Sequence, residues 1–195
     1  MSDIGSEELK VYLAGDLFDV KHLTGNAMLA EAIEIVSDRR YKMLVPQDIE
    51  LPSMEAKDIR DEDFRALLEC DAAVFQFDGP DLDSGTVAEF MAAKFADLPS
   101  VVLRTDFRRG GDRNDKPWNL MCNFYPRTEY VVMDALGAYA ASRAQTVERQ
   151  TNVEAALGKV ASDVVEKLDA VMGMEPVLSG DEKASVRGLL DRILT

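Results

Sequence analysis

Five short apolar runs punctuate the first 133 residues, and between them apolar residues recur at spacings of three and four. This alternation restricts the chain to βα units, because parallel strands need a long crossover between them and a helix supplies it. The runs are Leu9–Ala14, Lys42–Val45, Ala72–Phe77, Val101–Leu103 and Tyr130–Met133. Met28, Leu29, Ala32, Ile33 and Val36 predict a helix over Asn26–Ser37, and Ile59, Asp63, Phe64, Leu67 and Leu68 mark a second. Pro46 ends the second run, since it cannot continue a central ladder. A third helix is expected from about Ser84 to Phe95.

Three regions follow from this pattern. Residues 1–8 are polar and acidic and read as an N-terminal tail. Residues 9–134 read as an α/β domain, and 135–195 as a C-terminal helical extension. In the extension Val153, Leu157, Val160, Val164, Leu168 and Val171 keep helical spacing, and Gly173, Pro176 and Gly180 interrupt it. A last amphipathic helix carries Val186, Leu189, Leu190, Ile193 and Leu194, with Ser179 and Glu182 spaced as a capping box. Such a tail is expected to cover a sheet edge or to make a subunit contact. The fold class is therefore α/β: a doubly wound, flavodoxin-like sheet of five parallel strands with helices on both faces, plus the helical extension. One segment stands apart. Asp106–Pro126 is long, charged and glycine-rich, through Arg108, Arg109, Gly110, Gly111, Asp112, Arg113, Asn114 and Asp115, as functional or disordered loops are.

Charge removes whole classes of partner. With 22 Lys+Arg against 36 Asp+Glu the chain carries −14, which repels nucleic-acid polymers and anionic membranes. No apolar stretch approaches the roughly 18 residues of a membrane helix, and the tail has no apolar leader core. Cys70 and Cys122 have no metal-like spacing, and His22 is the sole histidine. A reducing, cytoplasmic setting with neither metal nor cofactor is the expectation.

Open parallel sheets bind ligands beyond the carboxyl ends of their strands. That directs attention to the loops 15–24 and 78–86. The second leads into Asp83-Ser84-Gly85-Thr86-Val87-Ala88-Glu89, with one carboxylate on the loop and one inside the helix. Thr86-x-x-Glu89 reads as a helix capping box, and Asp83 suits the positive end of a helix dipole. The same residues also read as chemistry. A glutamate near a helix N-terminus is expected to stay ionised and nucleophilic, and a second carboxylate in a different environment can donate a proton. Two such groups are the usual apparatus for cleaving a glycosidic bond. Neither a Walker nor a GxGxxG phosphate loop is present.

Val11-Tyr12-Leu13-Ala14-Gly15-Asp16-Leu17-Phe18, Ile59 to Asp71, Asp83-Ser84-Gly85-Thr86 with Glu89, Thr105-Asp106-x-Arg108 and Asn119-Leu120-Met121 follow in that order. From about Lys10 to Met133 this resembles the nucleoside 2-deoxyribosyltransferase family. The resemblance implies that Glu89 attacks C1′ of a 2′-deoxynucleoside to form a covalent glycosyl intermediate, with Tyr12 orienting its carboxylate. It places Asp83 and Asp63 around the nucleobase, where a carboxyl group can protonate the departing ring nitrogen. Asn119 and Met121 would complete a neighbouring subunit's site in a homo-oligomer. Gly15, Asp16, Phe18, Gln47 and Gly85 fall where substrate is held, base selection resting on the loops around Phe18, Gln47 and Asp48. The implied partners are a small deoxynucleoside and a free nucleobase.

Read without the resemblance, Tyr12 is a core aromatic and Asp63 one of several solvated charges in Arg60–Arg65. Asp16 departs from the small residue or proline of many relatives; it suits a 5′-hydroxyl and disfavours a 5′-phosphate. Phe90 and Met91 depart from the family's aliphatic residue and glycine, a packing difference. Two alternatives stay open. One is an N-glycosidase of deoxynucleoside 5′-monophosphates, with Lys21, Ser84 and Arg108 as phosphate ligands, or with the Arg108–Arg113 segment folded over the site. The other is a non-catalytic nucleotide-sensing module.

Overall fold

The computed structural model describes residues 8–108 and 117–194. The tail residues 1–7 and the centre of the charged loop, with Arg109, Gly110, Gly111, Asp112, Arg113, Asn114 and Asp115, lie outside the described residues. Strands β1 (Leu9–Ala14), β2 (Tyr41–Leu44), β3 (Ala72–Gln76), β4 (Ser100–Arg104) and β5 (Thr128–Val132) form one parallel sheet in the order β2-β1-β3-β4-β5. Val11 stands opposite Met43 and Ala72, Val74 opposite Val101, and Val102 opposite Tyr130. The crossovers are α1 (Val20–Val36), α2 (Ala56–Glu69) and α3 (Ser84–Phe95), and the extension forms α4 (Ala135–Arg143), α5 (Arg149–Met172) and α6 (Gly180–Ile193). Among the described residues no helix is long and apolar enough to cross a membrane.

This strand order reverses between β1 and β3, so the loops that follow those two strands diverge and leave a crevice. Strand alternation then decides what faces which layer. Val11 and Leu13 join Leu29, Ile33, Val164, Leu168 and Val171 beneath α1 and α5. Tyr12 and Ala14 point the other way, into the layer of Leu67, Phe75, Phe77, Phe90, Ala93 and Trp118 beneath α2 and α3. The aromatic members of that layer meet edge to face, Phe90 with both Phe75 and Phe77, a favourable arrangement of ring quadrupoles.

Three boundaries differ from the sequence pattern, for physical reasons. Helix α1 starts six residues before Asn26, because Asp19 caps it by accepting from Lys21 N at 2.8 Å and His22 N at 3.0 Å; its first turn, Val20–Leu23, is exposed and lies outside the core-facing periodicity. Strands β4 and β5 extend to Ser100, Arg104 and Thr128, polar positions held by ladder hydrogen bonds. Within the long loop Leu120–Cys122 forms a 3-10 turn, with Trp118 and Cys122 buried.

Helix α5 does more than cover an edge. Val164, Leu168 and Val171 are fully buried against the sheet, so the extension shares with α1 the covering of one side of the core. From its end the chain passes beneath the sheet to Asp97, whose carboxylate accepts from Val177 N (3.0 Å) and Leu178 N (3.2 Å) and pairs with Lys183. The Ser179–Glu182 capping box forms, and Arg65 on α2 holds the carbonyl of Leu194 beyond the far end of α6.

Candidate active site

Asp83 is the N-cap of α3: its Oδ2 accepts from Thr86 N at 2.7 Å and from Thr86 Oγ1 at 2.9 Å. The capping role therefore belongs to Asp83 with Thr86. Glu89 lies in the second turn and is free of that duty, which resolves the two readings of the Thr86-x-x-Glu89 spacing. The glutamate points back to β1, where Tyr12 Oη donates to its Oε1 at 2.8 Å. Tyr12 is completely buried. A buried phenol needs an acceptor, and Glu89, 77 residues away, is the one it has.

Asp63 on α2 completes the cluster. The charges of Asp63 and Glu89 both hold the Tyr12 phenol far above its ordinary range, after burial as the largest cause, so it remains a donor. Burial raises Glu89 from its usual 4.5 to about 7, with Asp63 and Asp83 adding to the rise and the Tyr12 hydrogen bond opposing it. Asp63 is pushed up to about 6 by burial and by the neighbouring Glu62. The expectation that a helix N-terminus keeps Glu89 ionised is corrected here: in the second turn the dipole has faded, and desolvation beside two carboxylates outweighs it. Glu89 and Asp63 are both raised, so the pair holds on to a proton near neutrality. Among the described residues no hydrogen bond anchors the Asp63 carboxyl group. Asp63, Asp83 and Glu89 are each partly exposed, so a ligand can reach all three.

The other sequence-predicted residues divide between this cluster and the surface. Gly15 sits directly after β1 with its backbone against Gln76; a Cβ there would fall 2.4 Å from Gln76 Nε2. Asp16 faces His22 at 3.7 Å, Nε2 to Oδ2, and Phe18 is 78% exposed. Gln47, on the 3-10 turn Pro46–Asp48, donates to Leu23 O at 2.9 Å, and its buried Oε1 has no partner among the described residues. Gly85 leaves room for the cap, since a Cβ would stand 3.1 Å from Asp83 Oδ2. Asn119 caps the 3-10 turn 120–122 by accepting from Met121 N at 2.9 Å. It and the 65% exposed Met121 line a separate groove beside the start of α3, together with Leu82, Ser84, Val87 and Trp118. The chain's own fold joins neither to Glu89 by a hydrogen bond.

Sequence reading missed the residues that hold these loops. Buried Asn26 donates to Asp16 O (3.0 Å) and accepts from Gln76 Nε2 (2.9 Å), tying the loop after β1 to β3. Buried Arg104 holds the carbonyls of Phe77, Gly79 and Arg108. Asp78 accepts from Thr105 N (2.6 Å) and Asp106 N (2.8 Å). Gln76 and Arg104 each end an apolar strand, and a polar residue at that position is the signal that could have found them. Asp61 is a further correction: it is buried between Lys57 and Arg60, not solvated.

Residues 11–121, more than half of the chain, match the family model described as nucleoside 2-deoxyribosyltransferase. The chain belongs to that family. Two solved structures share the fold of this nucleoside 2-deoxyribosyltransferase family member. A conserved protein from Enterococcus faecalis V583 is 23% identical with a TM-score of 0.52, over 84% of this chain and 98% of that one. A 2-deoxyribosyltransferase from Leishmania mexicana is 20% identical with a TM-score of 0.51, over 72% and 99%. No curated protein matches the chain significantly. The family match supports an enzyme of the deoxyribosyltransferase type acting on small nucleoside substrates, and the two solved structures support the fold. Among the described residues no group of three or more His, Cys, Asp or Glu is placed to hold a metal ion.

The raised Glu89 has a stability consequence. Between about pH 4.5 and 7 the folded chain keeps a proton that the unfolded chain has released, so this residue's contribution is greatest below pH 4.5 and is lost as pH rises through 7. Glu89→Gln, which cannot ionise, should therefore gain stability over wild type by about 1–3 kcal/mol between pH 4.5 and 7.5. Urea unfolding of both proteins across that range checks it; a constant difference contradicts it.

Proposed function

We propose that the enzyme exchanges the nucleobase of 2′-deoxyribonucleosides through a 2-deoxyribosyl ester on Glu89. The hydrogen bond from Tyr12 to Glu89 Oε1 carries this reading, because it orients the carboxylate and leaves Oε2 for attack. Ionised Glu89 bonds to C1′ while the N-glycosidic bond breaks, and its electron pair goes to the base nitrogen. The proton for that nitrogen is the one shared by Glu89 and Asp63, delivered by Asp63, which burial raises to about 6 and which no described residue hydrogen-bonds; Asp83 is near enough to raise Glu89 as well. In the second step a ring nitrogen of the incoming base attacks C1′, the ester C–O bond breaks and the base's proton returns to the carboxylate. Two displacements preserve the anomeric configuration. Gly15, Asp16, Phe18, Gln47 and Gly85 are the proposed substrate ligands, and the orphan Gln47 Oε1 is an acceptor suited to a base or sugar donor.

Phosphate recognition has less support. Arg108, the one candidate guanidinium among the described residues of its loop, is paired with Asp106 at 2.5 Å, and Lys21 lines a cavity on the opposite layer of the sheet. The free nucleoside is the proposed substrate. Asn119 and Met121, set in an exposed groove away from their own Glu89, are proposed to enter a partner subunit's site in a homo-oligomer, with residues 9–134 as the catalytic portion. A soluble, cytoplasmic role in nucleoside salvage, with no cofactor, completes the proposal.

Chromatography of a reaction containing a 2′-deoxynucleoside and a different free base should show the exchanged nucleoside. Glu89→Ala should lower the rate by at least about a thousandfold while the fold survives, since the cap it leaves intact is Asp83. Absence of exchange by folded wild-type protein would sink the proposal. Co-expression of Glu89→Ala with Asn119→Ala chains should restore activity that neither variant shows alone. Mixed oligomers as inactive as the parents would exclude a shared site.

A further inference from the structure

A cavity of about 430 Å³ opens on the layer of the sheet opposite the carboxylates, between α1, α4, α5 and the carboxyl ends of β3 and β4. Its walls are apolar, with Leu29, Leu103, Met133, Leu157 and Val160 beside the ring of Tyr139. That size and lining suit a small organic ligand. The polar residues at its strand end are Asn26, Gln76 and Thr105. Their donors are engaged within the chain. Gln76 Nε2 donates to Asn26 Oδ1 (2.9 Å) and to Ala14 O (3.4 Å), Asn26 Nδ2 to Asp16 O (3.0 Å), and Thr105 Oγ1 to Asp78 Oδ2 (2.8 Å). Apart from one Asn26 amide hydrogen and the Lys21 and His22 side chains at the rim, what remains is acceptor capacity, above all Gln76 Oε1, which no described residue bonds, with lone pairs on Thr105 Oγ1 and Asn26 Oδ1.

An acceptor-rich end repels an anion and rewards a ligand that donates hydrogen bonds. Lys21 at the rim disfavours a cation. Apolar walls beside the Tyr139 ring favour a ring. We propose that this cavity is a second small-molecule site, taking an uncharged aromatic heterocycle that carries an exocyclic amino group. Its occupancy bears on the first site through Gln76, whose amide packs against Gly15 at the head of the loop after β1. The cavity's own geometry carries this inference, which does not require chemistry at Glu89.

Calorimetric titration of the full chain with adenine tests it, using wild type and two variants that fill the cavity, Ala156→Trp from α5 and Ala138→Phe from α4. Wild type should bind one more equivalent of adenine per chain than either variant, with circular dichroism and melting temperature confirming that at least one variant is folded. Purine, which lacks the amino group, should bind the cavity about tenfold more weakly than adenine, the worth of one modest hydrogen bond. Equal stoichiometry in wild type and a folded variant, or no adenine binding to wild type at all, would overturn the proposal. If base exchange fails while the variants still lose one equivalent, the cavity stands and only the exchange reading falls.

Discussion

One hydrogen bond, from the buried Tyr12 phenol to Glu89, links the two halves of the structure on which the site depends. Tyr12 belongs to the interior strand β1 and has no solvent to satisfy its hydroxyl; Glu89 belongs to a helix whose start is set by Asp83. Strand alternation sends Tyr12 into the α2/α3 layer, so the acceptor has to come from there. The strand order places the loops after β1 and β3 on either side of the reversal point. The crevice and the buried acceptor therefore arise from the same topology.

Crowding of carboxylates is the second constraint. Asp63 and Asp83 lie close enough to Glu89 to raise it, and all three side chains are only partly exposed. In a chain that already carries −14, such a cluster costs stability, and the fold offsets the cost elsewhere. Helix α5 closes the opposite layer with fully buried Val164, Leu168 and Val171. Arg104 and Asp78 fasten the loop that precedes Asp83 to the end of β4. A proton retained by the cluster is what a departing base nitrogen requires, so the electrostatic strain coincides with the proposed chemistry.

Much of the fold was legible in the sequence because apolar runs and helical spacing report burial directly. All five strands and the three crossover helices lay where those patterns put them, with shifts of a residue or two at strand ends and the largest at Asp19, where a side-chain cap sets the boundary. The periodicity of Val153–Val171 showed a helix but not its partner, since a buried stripe looks the same against a sheet, a neighbour or another subunit. The candidate site was less legible. The spacing of Asp83 and Glu89 was visible, yet it could not tell which residue capped the helix; the Asp83–Thr86 bonds decide that. Asp63 and Tyr12 came forward only through family resemblance, since neither spacing nor apolarity distinguishes them. Asn26, Gln76 and Arg104 stayed hidden because a polar side chain at a strand end reads as surface until its partners are known.

The central claim is that Glu89 carries the sugar, and intact-protein mass spectrometry tests it most directly. Wild-type protein quenched in acid after mixing with a 2′-deoxynucleoside, with no acceptor base added, should gain the mass of one 2-deoxyribosyl group. Peptide mapping should place that group on Glu89, and added base should discharge it. Turnover without any adduct, or an adduct on another residue, would contradict the account.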